Sequence, residues 1–104
     1  MTEQEINQTI ADNLVKIRRN TYHYKMHMGK LRKKFITQTE VANKLNITFQ
    51  QITKYESGQN QVSCAKLKMI ADYFDVPIEK FFTPIETYYR EFKDENVNHV
   101  ALDN

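Results

Sequence analysis

The stretch Asn46 to Gly58, NITFQQITKYESG, sets two adjacent carboxamides, Gln50 and Gln51, beside Phe49, with Thr53 and Lys54 close behind. A glutamine carries a donor and an acceptor on one plane, and a lysine carries a freely turning cation. Such groups read hydrogen-bonding partners, and core packing does not ask for them. Bond-making chemistry has no comparable candidate. The chain shows no nucleophile beside a base, no paired carboxylates and no glycine-rich phosphate loop, so neither an enzymatic activity nor a cofactor or small-molecule ligand is expected. His23 and His27, four apart, lack a third ligand in sequence, and no metal site is expected. Cys64 has no second cysteine to pair with, which fits a reducing, cytoplasmic setting; it reads as a small core residue.

Net charge is +2 over 104 residues, but residues 13–39 hold eight Lys or Arg and no acid, between two acidic ends. A positive band of that kind suits a polyanion approached from one side, or forms a solvated lysine-rich helix face. Hydrophobic content of 40% against 27% charged residues is ordinary for a soluble domain, and two glycines with two prolines are too few for a turn-rich β fold. Helices are therefore expected. No apolar run reaches the length of a membrane span, and no leader pattern follows Met1.

The elements that must hold the polar stretch announce themselves by a repeated signal. An apolar residue, a capping residue and a second apolar residue recur as Ile36, Thr37, Val41; Ile47, Thr48, Ile52; Val62, Ser63, Leu67; and Val76, Pro77, Phe81. Each predicts a helix start, with the hydroxyl accepting from an orphan amide and the apolar pair stapling the entry. Glu40 and Gln51 would complete capping boxes for the first two. The starts predict helices over roughly 37–45, 48–57, 63–74 and 77–82, preceded by an N-terminal helix whose stripe is Ile10, Leu14 and Ile17. Pro84 with Ile85, Tyr88, Tyr89 and Phe92 predicts a further helix over 83–93, and residues 94–104 read as a disordered tail. Asn46 stands where a tight turn needs positive φ, and Gly58 where a helix needs a left-handed end.

The segment QTEVANKLNITFQQITKYES resembles the helix-turn-helix of the Cro and C1 repressor family, also called the xenobiotic-response-element type. Gln38, Ala42, the Asn46 turn, Ile47, Ile52, Glu56 and Gly58 carry the likeness, and VSCAKLKMIADYFDVPIEKFF resembles the same domain's last two helices. The resemblance implies an all-α, five-helix, lambda-repressor-like domain over 1–82 that binds double-stranded DNA as a homodimer. It implies base reading by Phe49, Gln50 and Lys54 from the helix beginning at Thr48. Gln51 divides between base reading and its capping box, and Thr53 is read as pointing away from the groove. Phosphate contacts would come from Thr37, Gln38, Thr48 and the loop Gln59, Asn60, Gln61, with Lys33 and Lys34 adding charge. Arg18, Ala42, Ile52, Glu56 and Gly58 are then structural, Glu56 pairing with Arg18, and Tyr55 belongs to the core.

The pattern departs from the family between Arg19 and Thr37, where about a dozen residues intervene. Ile10, Leu14, Ile17, Thr21, Tyr24, Met28, Leu31 and Phe35 alternate steps of four and three, so the insertion over about 20–36 is expected to extend the first helix or to form a separate element. MGKLRKKFITQ offers a competing end to that helix, with Arg32 in the place of Arg18. The expected function is a sequence-specific DNA-binding transcriptional regulator, a dimeric repressor of bacterial or phage type reading an operator in the major groove. An antitoxin built on the same domain, or a protein-interaction module that has lost its DNA face, are the alternatives.

Overall fold

The computed structural model describes residues 1–85 and the two-residue strand at 90–91. Helix α1 spans Glu3–Asn20, strands β1 Thr21–His27 and β2 Lys30–Phe35 form a hairpin, and helices α2 Gln38–Leu45, α3 Phe49–Ser57 and α4 Cys64–Phe74 follow. A 3-10 turn covers Ile78–Phe81, and strand β3, Arg90–Glu91, pairs in parallel with the start of β1.

The helices begin where a hydroxyl stands ready. Thr37, Thr48 and Ser63 each accept a hydrogen bond from the amide three residues on, and Pro77, which has no acceptor, starts only the 3-10 turn. The Thr37 cap is a full capping box with Glu40. At Thr48 the bond runs one way, because the Gln51 side chain does not return to the cap. Thr2 and Glu5 form another complete box at the start of α1. Hydrogen bonds to its carboxylate from the Thr2 backbone amide first, and from the Thr2 side chain, hold the Glu5 carboxyl below its usual range.

Three helices end alike. The backbone turns left-handed at Asn46, Gly58 and Asp75, with φ of 56°, 79° and 55°. The next amide then returns to a carbonyl five residues back: Ile47 to Ala42, Gln59 to Lys54 and Val76 to Ala71, each at 3.0 Å. These are Schellman closures, which satisfy carbonyls that a helix end would otherwise leave bare.

The core runs through Ile10, Leu14 and Ile17 of α1, Val41, Ala42 and Leu45 of α2, Ile52 and Tyr55 of α3, and Leu67, Ile70, Ala71 and Phe74 of α4, with Phe81 closing the far side. Asn13, almost fully buried, donates to the carbonyls of Lys80, Phe81 and Thr83 and accepts from the Ile85 amide, so one side chain straps the end of the described chain to α1.

Two expectations are overturned. The fold is not all-α, and the first helix does not extend through the insertion. Asn20 and Thr21 turn their side chains back onto the carbonyls of Lys16 and Ile17, and Thr21, in extended conformation, donates its amide to the Arg18 carbonyl, which ends the helix. The chain then leaves as a strand. Met28 and Gly29, with φ of 52° and 79°, make the two-residue turn that matches the twist of a hairpin. Of the eight-residue heptad seam, Met28 is 88% exposed, and Leu31 and Phe35 lie on the outside as well. The C-terminal helix expected over 83–93 is replaced at Arg90 and Glu91 by strand β3, while residues 86–89 and 92–93, like the tail over 94–104, lie outside the described residues. Cys64 is exposed rather than a core residue, since it opens the first turn of α4 on the solvent side.

Arg18 is buried and grips Glu56 with two nitrogens, its Nε on one carboxylate oxygen and its terminal nitrogen 2.9 Å from the other, while a third nitrogen donates to the Ile36 carbonyl. Arg32, the competing partner, is exposed on β2. Removing one partner of a buried pair leaves an uncompensated charge, at a cost of about 3–5 kcal/mol. Arg18→Ala is therefore expected to lower the urea midpoint by a corresponding amount, and Arg18→Lys, which cannot offer a planar fork, to recover little of it.

Candidate nucleic-acid interface

Helix α3 divides sharply by side. Ile52, Tyr55 and Glu56, at steps of three and four, are buried against α1 and α2. At 100° per residue the opposite arc carries Gln50, Thr53, Lys54 and Ser57, all exposed, with Gln51 half-buried on one flank. Phe49 falls on the other flank, about 60° round from Ile52, and at the first position of the helix it still leaves 51% of its surface to solvent, an unusual exposure for so large an apolar ring. Gln50 and Lys54 stand one turn apart and therefore adjacent. Of the base-reading candidates, Gln50 and Lys54 share the open arc, and Phe49 is exposed at its edge. Gln51 borders it with its side-chain amide unspent on the cap.

Thr53 requires a correction. It lies on the exposed arc, one turn beyond Phe49, and its hydroxyl donates to the Phe49 carbonyl at 3.0 Å. Ser57 was missed altogether. Both were findable, since counting 100° per residue from the buried Ile52 places them with Gln50 rather than with the core.

The phosphate-contact candidates fall into three groups. Thr37 and Thr48 are exposed N-caps at the positive ends of α2 and α3, with one Oγ lone pair committed to the amide of Glu40 or Gln51. Gln38 is half-buried and donates to Glu56 Oε1 at 2.8 Å, which binds it into the Arg18 network and leaves its second amide proton for an external acceptor. Gln59, Asn60 and Gln61 are exposed in the loop after α3; the amides of the first two close onto the Lys54 carbonyl, so their side chains are what the loop offers outward.

Lys33 and Lys34 separate. Adjacent residues of a strand face opposite ways, and Lys33 lies across from Tyr24 with its Nζ 4.4 Å from the centre of the Tyr22 ring, whereas Lys34 lies across from His23. His23 is buried, with Nε2 3.6 Å from Glu40 Oε2. On a strand, His23 and His27 are about 13 Å apart, too far to share an ion.

A helix capped by Thr37, a left-handed Asn46, and a second helix capped by Thr48 whose first turn stands open make a helix-turn-helix, and the comparison with known proteins agrees. The helix-turn-helix family model matches residues 29–81. The chain belongs to the Cro/C1-type helix-turn-helix family. An uncharacterized transcriptional regulator in the ATPase CF(0) region of Rhodospirillum rubrum is 36% identical over a match covering 65% of this chain and 68% of the relative. An uncharacterized HTH-type transcriptional regulator of Sinorhizobium medicae (strain WSM419) is 43% identical, over 45% of this chain and 34% of its own length. A regulator of the same description from Rickettsia conorii (strain ATCC VR-613 / Malish 7) is 34% identical, over 51% of this chain and 42% of its own. The match thus spans only about a third to two-fifths of the latter two.

The family match begins at Gly29, so it overlays β2, whereas the helix that packs behind the helix-turn-helix here is α1 at Glu3–Asn20. In this helix-turn-helix protein the hairpin separates the first helix from the rest of the motif. Among the described residues, no helix is long and apolar enough to cross a membrane, and no three metal-binding side chains gather.

The two sides of α3 should answer differently to substitution. Ile52→Ala is expected to cost about 2–5 kcal/mol of stability through the cavity it leaves. Gln50→Ala and Lys54→Ala should stay within about 0.5 kcal/mol of the unmodified chain. Urea unfolding of the three variants distinguishes the sides.

Proposed function

We propose that the protein is a sequence-specific, double-stranded DNA-binding transcriptional regulator that acts as a homodimeric repressor. One observation carries the reading: the first turn and a half of α3 stands open with Gln50 and Lys54 on one arc and Phe49 exposed at its edge, while the same helix is locked from behind by Ile52, Tyr55 and the buried Glu56. A rigid helix with an uncommitted polar arc is what entry into a major groove requires.

On this reading, Gln50 forms the paired hydrogen bonds that a carboxamide makes to adenine N6 and N7, Phe49 lies against a thymine methyl, and Lys54 reaches guanine. Thr53 and Gln51 border these contacts. The N-termini of α2 and α3 set their amide-rich ends on phosphates, with Thr37, Gln38, Thr48 and the 59–61 loop fixing the register without reading sequence. Repression follows from occupying the operator, and the relatives described above, each named a transcriptional regulator, support regulation as the outcome. A homodimer would present two copies of α3 to half-sites about 10 base pairs apart.

Selection of bound duplexes from a random pool should yield a preferred site made of two related halves at that spacing. Gln50→Ala should relax preference at one position of each half and weaken binding to the selected site by about 1–3 kcal/mol, roughly five- to 150-fold. A pool that shows no enrichment, or a Gln50→Ala, Lys54→Ala double variant that binds the selected site as tightly as the unmodified chain, would overturn the assignment.

A further inference from the structure

The hairpin that interrupts the family's pattern has two chemically different faces, and the register shows which residue belongs to which. Cross-strand partners share a face: Tyr22 with Phe35, Tyr24 with Lys33 and Met26 with Leu31 on one, His23 with Lys34, Lys25 with Arg32 and His27 with Lys30 on the other. The first face is aromatic and aliphatic, and its one cation, Lys33, is laid over the Tyr22 ring. The second carries Lys25, Lys30, Arg32 and Lys34, all exposed, with the two histidines between them. Among the described residues, none of these four cations is in an ion pair. Four like charges at strand spacing repel one another. Nothing in the fold requires their arrangement.

The cationic face also adjoins α2. Strand β2 runs directly into Thr37, the cap of α2, and His23 on the cationic face lies 3.6 Å from Glu40 in the first turn of that helix. The cationic face is thus continuous with the N-terminal end of α2, the end assigned above to phosphate. The ladder extends about 17–20 Å from its base, the rise of five to six base pairs.

We propose that the hairpin is a second DNA contact: its Lys25, Lys30, Arg32 and Lys34 face lies along the phosphate backbone flanking the half-site, lengthening the footprint without adding sequence preference. This rests on the DNA-binding reading above. It assigns Lys34 to phosphate and removes Lys33 from it.

The test measures affinity of the full chain for two duplexes of about 30 base pairs, one of random sequence and one the best of the selected pool, from about 50 to 200 mM salt. With about 0.9 in the logarithmic salt slope per neutralised phosphate, the variant K25Q/K30Q/R32Q/K34Q should lower the slope by about 3.6 on both duplexes and leave the ranking of sites unchanged. K33Q should leave the slope as it is. Hydroxyl-radical protection should extend about five base pairs beyond the half-site and retreat in the quadruple variant. All four positions are exposed, and a matching urea midpoint confirms that the variant is folded. Equal slopes for the quadruple variant and the unmodified chain, or a drop of about 0.9 in K33Q, overturn the proposal; equal slopes are also the result expected if the face instead docks an acidic protein. An unmodified chain that binds neither duplex overturns the DNA-binding reading itself. One that binds and selects, but with coincident slopes, overturns the hairpin assignment alone.

Discussion

A guanidinium taken out of water must find partners for its donors, and Arg18 finds them on two other segments at once. Its fork grips Glu56 of α3, a further nitrogen holds the Ile36 carbonyl at the exit of the hairpin, and the same carboxylate accepts from Gln38 in the first turn of α2. One ion pair thereby sets the position of the helix-turn-helix relative to α1. The gain lies less in net stability, since burying charge is costly, than in directionality. Apolar surfaces would tolerate sliding of α3 on its neighbours. A bidentate pair with a third bond to the Ile36 carbonyl does not.

That constraint explains why the open arc of α3 can serve recognition. Reading a base edge requires a side chain to be placed within a few tenths of an ångström, and a helix of nine residues is too short to be rigid by itself. Its rigidity is borrowed from behind: Ile52 fully buried, Glu56 in the Arg18 fork, Thr48 closing the first turn and Gly58 the last. Asn13 extends the same logic to the far end of the chain, where four backbone groups converge on one buried carboxamide.

The hairpin shows how a pattern can be present and still mislead. Steps of four and three from Ile10 to Phe35 are compatible with a helix, but beyond Thr21 they fall on residues that face solvent. A period selects a secondary structure only where burial rewards it. Asn20 and Thr21 are poor helix interior residues, the run Thr-Tyr-His-Tyr favours a pleated strand, and Met-Gly is a weaker turn signal than Asn-Gly, so the competing evidence was local and faint. The same distance from the core that hid the hairpin in the sequence leaves its cationic face free.

By itself the amino-acid sequence determined what depends on neighbours within one helical turn: the caps at Thr37, Thr48 and Ser63, the left-handed Asn46 and Gly58, and through them the helix-turn-helix and its exposed glutamine. Those signals are short-range hydrogen bonds and steric preferences, written in consecutive residues. The tertiary structure alone decided what depends on contacts between distant segments: that Lys33 and Lys34 part company, and that the insertion pairs as strands. Each of these turns on which surface becomes buried, and burial is a property of the packed chain as a whole.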